Sequence, residues 1–378
     1  MADPAPSRPV ELTLDGAAVV YRLFDIGYAI ELDAVQTLLA PSGPERARVA
    51  RIEAQALQIA NPPVSVSLGA RDLLVDGTLR RALLAARLFD FGVCSIQLEI
   101  AAPENASWDQ FVRFARGVQA SPAVEELLSR ELSALRDRIA TAIERPGLAP
   151  VSEEYIVFRV SALRDSRDAP APLQLLTDER LAVLLLGEQR PLSDQARAGL
   201  LANRFSYYAD DLAVLTWEDA LVVEPQRNDH DVEYILEFAN AQLLELRFYD
   251  ALLDAELPVM YDRIAAARQR QLPLPTRRFQ SVLSDLQARV ADVTETVERA
   301  ENALKVTDDV YLARVYGAAL ELFRASAWRR GIERKLEIFR ETYAMLNAEA
   351  QAARSELLEV VIILVIVAEL VLGLVRAH

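Results

Sequence analysis

AAVVYRLFDIGYAIEL, at residues 17–32, is dense in β-branched and aromatic side chains and holds a turn signal at 25–27. This composition predicts a buried strand or hairpin. PVSVSLG (63–69) and VCSIQLEI (93–100) alternate apolar with polar residues, which is the period of a half-buried strand. The N-terminal part of the chain is therefore expected to contain a sheet.

Helix signals follow these strands. Ser107 is a good N-cap before WDQFVRFARGV, and Pro122 stands where a second helix would begin. A second strand-containing block opens with EYIVFRV (154–160) and closes with RFSYYADDLAVLTWEDALVVEP (204–225). From Asp229 to about residue 270 the pattern is helical. Two α/β blocks are therefore expected before a helical region.

Two heptad arrays occupy the C-terminal part of the chain, with apolar residues at alternating spacings of four and three. The first array is Phe279, Leu283, Leu286, Val290, Val293, Val297, Ala300 and Leu304, and the second is Ile332, Leu336, Phe339, Tyr343, Leu346, Ala350, Ala353 and Leu357. KVTDD (305–309) is a break between them, and 328–331 is a weaker one. The pattern predicts a long antiparallel helical hairpin with a short helix over 310–325 at its bend. The spacing leaves open whether the arrays pair with each other or with another chain.

The composition excludes several classes of protein. A formal charge of −15 argues against general nucleic-acid binding, although a local basic face stays open. The lone Cys94 lies among apolar residues, which predicts a buried side chain and leaves no disulfide framework. His230 and His378 are too few for a histidine-based zinc site or a Ser-His-Asp triad. No glycine-rich phosphate-binding loop occurs, and no cofactor is predicted.

Residues 357–375 form an apolar run of 19 residues that contains two glutamates. As a helix, this run would span about 28 Å, close to the roughly 30 Å of a hydrocarbon core. The sequence therefore predicts a C-terminal transmembrane helix, with Leu357, Glu359, Val360, Ile363, Glu369 and Leu374 as anchor residues. The alternative is a buried core or oligomerisation helix.

The flanking charges give this predicted anchor an orientation. Basic residues lie on the arm that precedes it, and the first ten residues lack the apolar run of a secretory signal. The chain is therefore expected in the bacterial inner membrane as a single-pass, tail-anchored protein with its bulk in the cytoplasm.

Together these patterns predict an α+β fold in which two strand-containing modules precede a long antiparallel helical hairpin and a C-terminal transmembrane helix. The predicted parts are a flexible leader over 1–10, an N-terminal α/β module over 11–150, a central α/β module over 151–228, a helical bundle with the coiled-coil hairpin over 229–356 and the transmembrane helix over 357–375.

Four stretches carry a family resemblance: YYADDLAVLTWEDALVVEP, EFANAQLLELRFYD, ERKLEIFRETYAMLN and LLEVVIILVIVAELVLGL. With VVYRLFDIGYAI, they resemble the membrane-anchored family of unknown function that includes the mitochondrial "required for meiotic nuclear division" (Rmd/YagE-like) proteins, over about residues 18–374. Val360 stands where many members carry Trp. The resemblance implies a homo-oligomer that holds the translation apparatus near a membrane, and it carries over no catalytic residues.

Acidic residues concentrate between positions 210 and 231. Asp210, Asp211, Asp219, Asp229 and Asp231 are candidate metal ligands, because clustered carboxylates bind Mg²⁺ and can activate water. The alternative interpretation is structural, since these residues fall at strand ends and at a helix start, where carboxylates form turns and caps.

Six basic residues lie on the arm before the apolar run: Arg324, Arg329, Arg330, Arg334, Lys335 and Arg340. They form a candidate face for anionic lipid or for ribosomal RNA. The alternative is a solvated helix flank with pairs at i,i+4 spacing. No DNA partner is predicted.

The function expected from these observations is a non-enzymatic membrane-anchored scaffold that oligomerises and holds a cytoplasmic partner at the inner membrane. One alternative is a metal-dependent hydrolase or nucleotide-handling enzyme that uses the acidic residues over 210–231. The other alternative is a soluble coiled-coil assembly protein.

Overall fold

The computed structural model describes residues 11–39, 49–51, 58–59, 61–188, 190–225, 230–269, 304–305 and 309–377, and single helical positions at 284, 288, 291 and 294. Over these residues the architecture is α+β, with a large mixed sheet and C-terminal helices. The predicted leader, Asp229, His378 and nearly all of the first heptad array lie outside the described residues.

The chain separates into two compact units. The first comprises Met1–Glu245 and Arg299–Ser326, and the second comprises Leu246–Glu298 and Ala327–His378. The first unit contains the sheet, and the second contains the C-terminal part of one long helix and nearly all of another.

The described strands are β1 (Thr13–Asp25), β2 (Gly27–Ile30), β3 (Val49–Arg51), β4 (Gln58–Ile59), β5 (Val64–Val75), β6 (Thr78–Leu88), β7 (Val93–Ala101), β8 (Ala106–Ser107), β9 (Ile143–Pro146), β10 (Ser152–Arg164), β11 (Arg204–Phe205), β12 (Leu212–Leu215), β13 (Asp219–Val223) and β14 (Leu304–Lys305). Ten of them form one sheet in the order β11, β12, β13, β10, β1, β7, β6, β5, β3, with β8 paired to β1. The β10–β13 pair is parallel and the other described pairs of this sheet are antiparallel. Strands from both predicted α/β modules therefore lie in the same sheet.

The described α-helices are α1 (Leu32–Leu39), α2 (Trp108–Gln119), α3 (Pro122–Ile139), α4 (Asp178–Leu181), α5 (Asp194–Leu200), α6 (Asp231–Gln269), α7 (Val310–Leu322) and α8 (Ala325–Ala377). Ser107 caps α2 in a capping box with Gln110, and Pro122 occupies the first turn of α3, so both predicted helix starts are confirmed.

β1 lies inside the sheet, between β10 and β7, and its residues 17–21 are buried on both faces of the sheet. Tyr21 is directly opposite Tyr155 of β10 on one side and Gln97 of β7 on the other. The predicted turn is where β1 ends and β2 begins, and there the Asp25 carboxylate accepts a hydrogen bond from the Gly27 amide at 3.2 Å. Successive residues of β1 point to opposite faces of the sheet.

The two faces of the sheet pack against different helices. The face that carries Ala18 and Val20, called the core face here, packs against α2 and α3, and the ring centroids of Phe111 and Phe158 lie 6.3 Å apart. The opposite face, called the α6 face here, meets the N-terminal part of α6, where Phe238 packs on Phe89 at 5.8 Å between ring centroids. Cys94 is buried, as predicted.

The junction between α7 and α8 differs from the prediction. The Asp309 carboxylate caps α7, Phe323 ends it, and Arg324 adopts a left-handed φ of 54°. The weaker break predicted at 328–331 does not occur, because α8 continues through it. Gly331 lies where an added Cβ would come within 3.1 Å of the Asp250 carboxylate, so this glycine permits a close approach to α6 within the second unit.

No helix in the described part of the chain is long and apolar enough to cross a membrane. The prediction of a transmembrane helix over 357–375, and with it the single-pass tail anchor in the inner membrane, is therefore wrong. The apolar run whose side chains are described covers residues 360–368, between Glu359 and Glu369, whereas a span requires about 20 residues. The six residues assigned to an anchor, Leu357, Glu359, Val360, Ile363, Glu369 and Leu374, are part of α8.

Candidate functional site

The most concentrated group of buried charges in the described chain lies between the sheet and the first turns of α6. His230 precedes α6, and Glu233 and Glu237 follow at spacings of three and four, which places all three on one side of the helix. Both glutamates are buried. His230 adopts a left-handed φ of 50°, and its carbonyl accepts the first helical hydrogen bond, from the Tyr234 amide at 3.0 Å.

The sheet side of this group comes from four strands. Tyr21 of β1 lies directly opposite Gln97 of β7, and Arg87 of β6 lies opposite Ser95, two residues before Gln97. Because alternate residues of a strand share a face, these side chains and Glu99 all lie on the α6 face. Arg159 of β10 completes the set and reaches both Glu99 and Glu233.

The inner part of the group centres on Glu237. Its carboxylate pairs with the Arg87 guanidinium and accepts hydrogen bonds from the Gln97 amide at 2.9 Å to each oxygen. The Arg87 guanidinium stacks on the Tyr234 ring, 4.4 Å from its centroid. The charge on Glu237 is therefore neutralised by a cation that is itself buried.

The outer part of the group centres on Glu233. This carboxylate accepts hydrogen bonds from the Tyr21 hydroxyl at 3.1 Å and from Arg159 at 3.4 Å, and the His230 ring lies 3.5 Å away. The side chains of His230 and Glu99 are partly exposed, at 43% and 39%, so the group opens to solvent at this end.

The pKa shifts agree with this geometry. Burial raises the pKa of Tyr21 well above its ordinary value, and the Glu233 carboxylate adds to the rise. A hydrogen bond to Glu233 raises the pKa of His230. Burial lowers the pKa of Arg87, whereas for Arg159 the effect of burial is outweighed by Glu233 and Glu99, so that its pKa rises.

This arrangement favours a structural role, in which the charges hold α6 on the sheet, over a catalytic role. Both buried glutamates are bonded to guanidinium groups, which leaves neither poised as a general base. A polar stripe on a helix that meets a polar sheet face sets the position of the helix, because any shift in register would leave buried charges unpaired. We call this group the docking layer, comprising Tyr21, Arg87, Gln97, Glu99, Arg159, His230, Glu233 and Glu237.

Of the predicted acidic ligands, Asp229 lies outside the described residues, and Asp211 and Asp219 have roles in local structure. Asp211 is buried and accepts hydrogen bonds from the amides of Tyr207 and Tyr208 at 2.7 and 3.1 Å, which is the turn chemistry of the alternative interpretation. Asp210 is exposed, and Asp231 begins α6. No group of three or more His, Cys, Asp or Glu side chains in the described residues is placed to hold a metal ion.

Asp219 is the most perturbed of these carboxyl groups. It is buried in the turn between β12 and β13, where Thr216 donates a hydrogen bond at 2.7 Å and Gln119 donates another at 3.0 Å. Burial raises its pKa to about 7, although those two hydrogen bonds act in the opposite direction. Tyr155 closes the turn by donating to the carbonyls of Thr216 and Asp219.

The six predicted basic residues do not form one uniform stripe. Lys335 pairs with Asp250 and Asp254 of α6, at 2.7 and 2.6 Å, inside the second unit. Arg340 lies 3.7 Å from Glu337, and Arg329 is half-buried. Arg330 and Arg334 are exposed on α8, and Arg324 is exposed in the first unit. The Arg340–Glu337 pair has i,i+3 spacing and the Lys335 pairs join two helices, so these contacts differ from the i,i+4 pairs of the alternative interpretation. Arg330 and Arg334 form no ion pair with the residues that the structure describes.

No local sequence pattern predicts the docking layer. A signal was present in VCSIQLEI, where Gln97 and Glu99 occupy the alternate positions of a strand next to apolar neighbours, and in Arg159 within EYIVFRV. These positions were compatible with a solvated face. Their partners, Glu233 and Glu237, lie 74 and 140 residues further along the chain from Arg159 and Gln97 respectively, so no local pattern joins them.

Comparison with known proteins places the chain in a family. Residues 15–230 match the family model described as "Uncharacterized protein MJ0711, N-terminal domain". Since the match covers more than half of the chain, the protein belongs to this family. The matched range covers the sheet except for the first two residues of β1. It ends at His230, the docking-layer residue that precedes α6.

The curated relative found is the uncharacterized protein MJ0711 of Methanocaldococcus jannaschii, which is 23% identical over 196 residues. The alignment covers 52% of this chain and 59% of that protein, so the chain spans less than two thirds of its relative's length. No solved structure matches the chain. These comparisons show an uncharacterised family and do not extend to the Rmd/YagE-like resemblance.

Proposed function

We propose that this protein is a non-enzymatic scaffold that self-associates through the C-terminal part of α8 and holds a second partner on its body. The observation that carries this proposal is the exposure of α8 over residues 358–369. Every side chain described from Leu358 to Glu369 is exposed, and nine of them are large and apolar. Folded monomers rarely expose a contiguous apolar surface of this kind, which supports burial against a partner.

A second copy of the chain fits this surface because the heptad spacing continues into it. Ile332, Leu336, Phe339 and Leu346 are buried in the second unit. The same alternation of three and four continues to Val360, Leu364 and Val367, which are exposed. In that register Glu359 and Glu369 fall outside the apolar seam, so a parallel bundle of α8 helices buries no carboxylate.

The positions beside the seam favour more than two copies. Val361 and Ile363 flank the seam and are also apolar and exposed. Apolar residues at flanking positions stabilise larger bundles, because two helices cover only the seam itself. The proposal is therefore a parallel bundle of at least three α8 helices.

The second partner is part of the same proposal. The resemblance to the Rmd/YagE-like proteins supports a contact with the translation apparatus, and the exposed Arg330 and Arg334 supply the positive charge that such a contact requires. Ribosome co-sedimentation of the purified protein tests this part. We expect Arg330→Glu with Arg334→Glu to abolish it, and co-sedimentation that is unchanged would contradict the assignment.

Self-association is tested by light scattering after size exclusion, using the full chain and two matched variants. Leu364 in the seam and Ile362 outside it are similarly exposed, at 62% and 56%. We expect Leu364→Glu to dissociate the assembly, because the charge enters the bundle interior, and Ile362→Glu to weaken it much less. A monomeric wild-type protein, or equal effects of the two variants, would refute the α8 bundle.

A further inference from the structure

The hairpin of β5 and β6 presents three exposed leucines on the α6 face of the sheet. Leu74, Leu79 and Leu83 are 58%, 68% and 54% exposed. Leu74 and Leu79 are directly opposite one another, and Leu83 is opposite Ala70. Since alternate residues share a face, these four side chains lie on the same side of the hairpin.

The other side of the same hairpin is covered by the hydrophobic core. Leu73, Val75, Ala82 and Leu84 are buried in the hydrophobic core with α2 and α3. Residues 73–75 and 82–84 are thus apolar towards both faces, which is the pattern of strands covered on both sides. No described residue covers the face that carries the three leucines. This face therefore has the composition of a buried surface, but it is exposed.

A pair of opposite charges lies at the centre of this surface. Asp72 is directly opposite Arg81, between the Leu74–Leu79 row and the Ala70–Leu83 row. Both are exposed, and neither side chain has a hydrogen bond or an ion pair with the residues that the structure describes. The surface therefore consists of an apolar row, a charged row and a second apolar row, and is called the hairpin face here.

This layout is complementary to itself. A two-fold axis parallel to the strands, placed between β5 and β6, sets Arg81 of one copy over Asp72 of the other and Asp72 over Arg81. The same rotation places Leu79 of one copy over Leu74 of the other, and each apolar row faces the same row of the second copy. Such reciprocal contacts define an isologous interface, and aligned sheets pack face to face at about 10 Å.

We propose that the hairpin face docks against the hairpin face of a second copy of this chain, as a sheet-on-sheet contact centred on two Asp72–Arg81 pairs. This contact is separate from the α8 bundle and does not depend on it. With three leucines on each side it is a small interface, which is expected to be weak and concentration-dependent.

The test uses charge reversal in the full chain, in a Leu364→Glu background so that the α8 bundle does not contribute. Asp72→Arg places arginine over arginine in a homodimer, and Arg81→Asp places aspartate over aspartate. We expect each variant alone to self-associate roughly tenfold or more weakly than the background protein in sedimentation velocity. An equimolar mixture of the two variants restores complementary pairs across the interface, so its association is expected to recover.

The mixture is the decisive measurement. Each single reversal also puts like charges opposite one another inside its own hairpin, which costs up to about 1 kcal/mol of strand pairing, and mixing does not relieve that cost. Recovery on mixing therefore reports the interface alone. The proposal is overturned if the single variants associate as strongly as the background, if the mixture is no stronger than its components, or if the background protein is strictly monomeric at the highest concentration reached. A failed α8 bundle, in contrast, shows as identical assembly with and without Leu364→Glu.

Discussion

Asp219 illustrates what a single buried side chain contributes in this protein. Its carboxyl group is enclosed by the β12–β13 turn, accepts hydrogen bonds from Thr216 and Gln119, and lies within a turn closed by Tyr155. The folded state holds its pKa near 7, while an ordinary aspartate has a pKa of 3.8. Such a group links the stability of the turn to pH near neutrality.

The sign of that linkage follows from the two pKa values. Below about pH 4 the group is protonated in both states and contributes nothing. Between about pH 4 and 7 only the unfolded state loses its proton, so stability falls as the pH rises, by up to about 4 kcal/mol. We expect Asp219→Asn, which stays neutral, to gain stability over the wild type across this window.

The measurement is urea unfolding of both proteins at pH 4 and at pH 8. The stability advantage of Asp219→Asn should be larger at pH 8. Asp210→Asn makes the same chemical change at an exposed position and should show no such difference between the two pH values. An advantage of Asp219→Asn that is independent of pH would show that folding does not raise the pKa of Asp219.

At the scale of elements, α6 is held on the sheet by the docking layer. Arg87→Met leaves the Glu237 carboxylate buried beside Gln97 without its cation. We expect a loss of roughly 3–5 kcal/mol in the free energy of unfolding, since an uncompensated buried charge is costly. The double variant with Glu237→Met removes both charges and should recover most of the loss.

Arg22→Met is the control for that substitution. Arg22 pairs with Glu154 in a more exposed setting on the opposite face of the sheet, so its replacement should cost less than about 1 kcal/mol. Chemical denaturation followed by circular dichroism compares the variants. The docking role is contradicted if Arg87→Met costs no more than Arg22→Met.

The elements differ in how far the sequence predicts them. The break after β1 and the starts of α2 and α3 were predictable because each rests on a local signal: the turn at 25–27, the Ser107 cap and Pro122. The α7–α8 junction was misplaced because Gly331 serves a close approach to Asp250, a contact between helices that no local pattern shows. The docking layer is likewise absent from any local pattern, since pairs such as Arg87 and Glu237 are 150 residues apart.

At the scale of the whole molecule, the apolar run over 357–375 predicts a membrane span, and no such span occurs in the described part of the chain. Hydropathy counts apolar side chains but does not distinguish lipid from a protein partner. The same ambiguity affects the basic residues, of which Lys335 is part of an ion-pair cluster with Asp250 and Asp254. Assembly is therefore the property that the sequence predicts least well and that experiment should address first.

Assembly through α8 has a consequence for thermal stability. Anything that binds the folded state in preference to the unfolded state raises the melting temperature as its concentration rises. We expect the Tm of the wild-type protein to rise when its concentration is increased about a hundredfold, and the Tm of Leu364→Glu to depend less on concentration. Scanning calorimetry over that range makes the comparison, and a wild-type Tm that is independent of concentration would count against the bundle.

The border between the two units has a further consequence. It falls between Glu245 and Leu246, inside α6, and crosses the chain again between Ser326 and Ala327, inside α8. Domains are commonly joined by exposed linkers, where proteases cut and genes recombine. A cut through α6 would instead create a new helix terminus on each fragment. At each terminus about four backbone N–H or C=O groups would lose their intrahelical hydrogen-bond partners. We therefore expect the two units to fold and be degraded together, and a fragment that stops at Glu245 to be less stable than the same residues in the full chain.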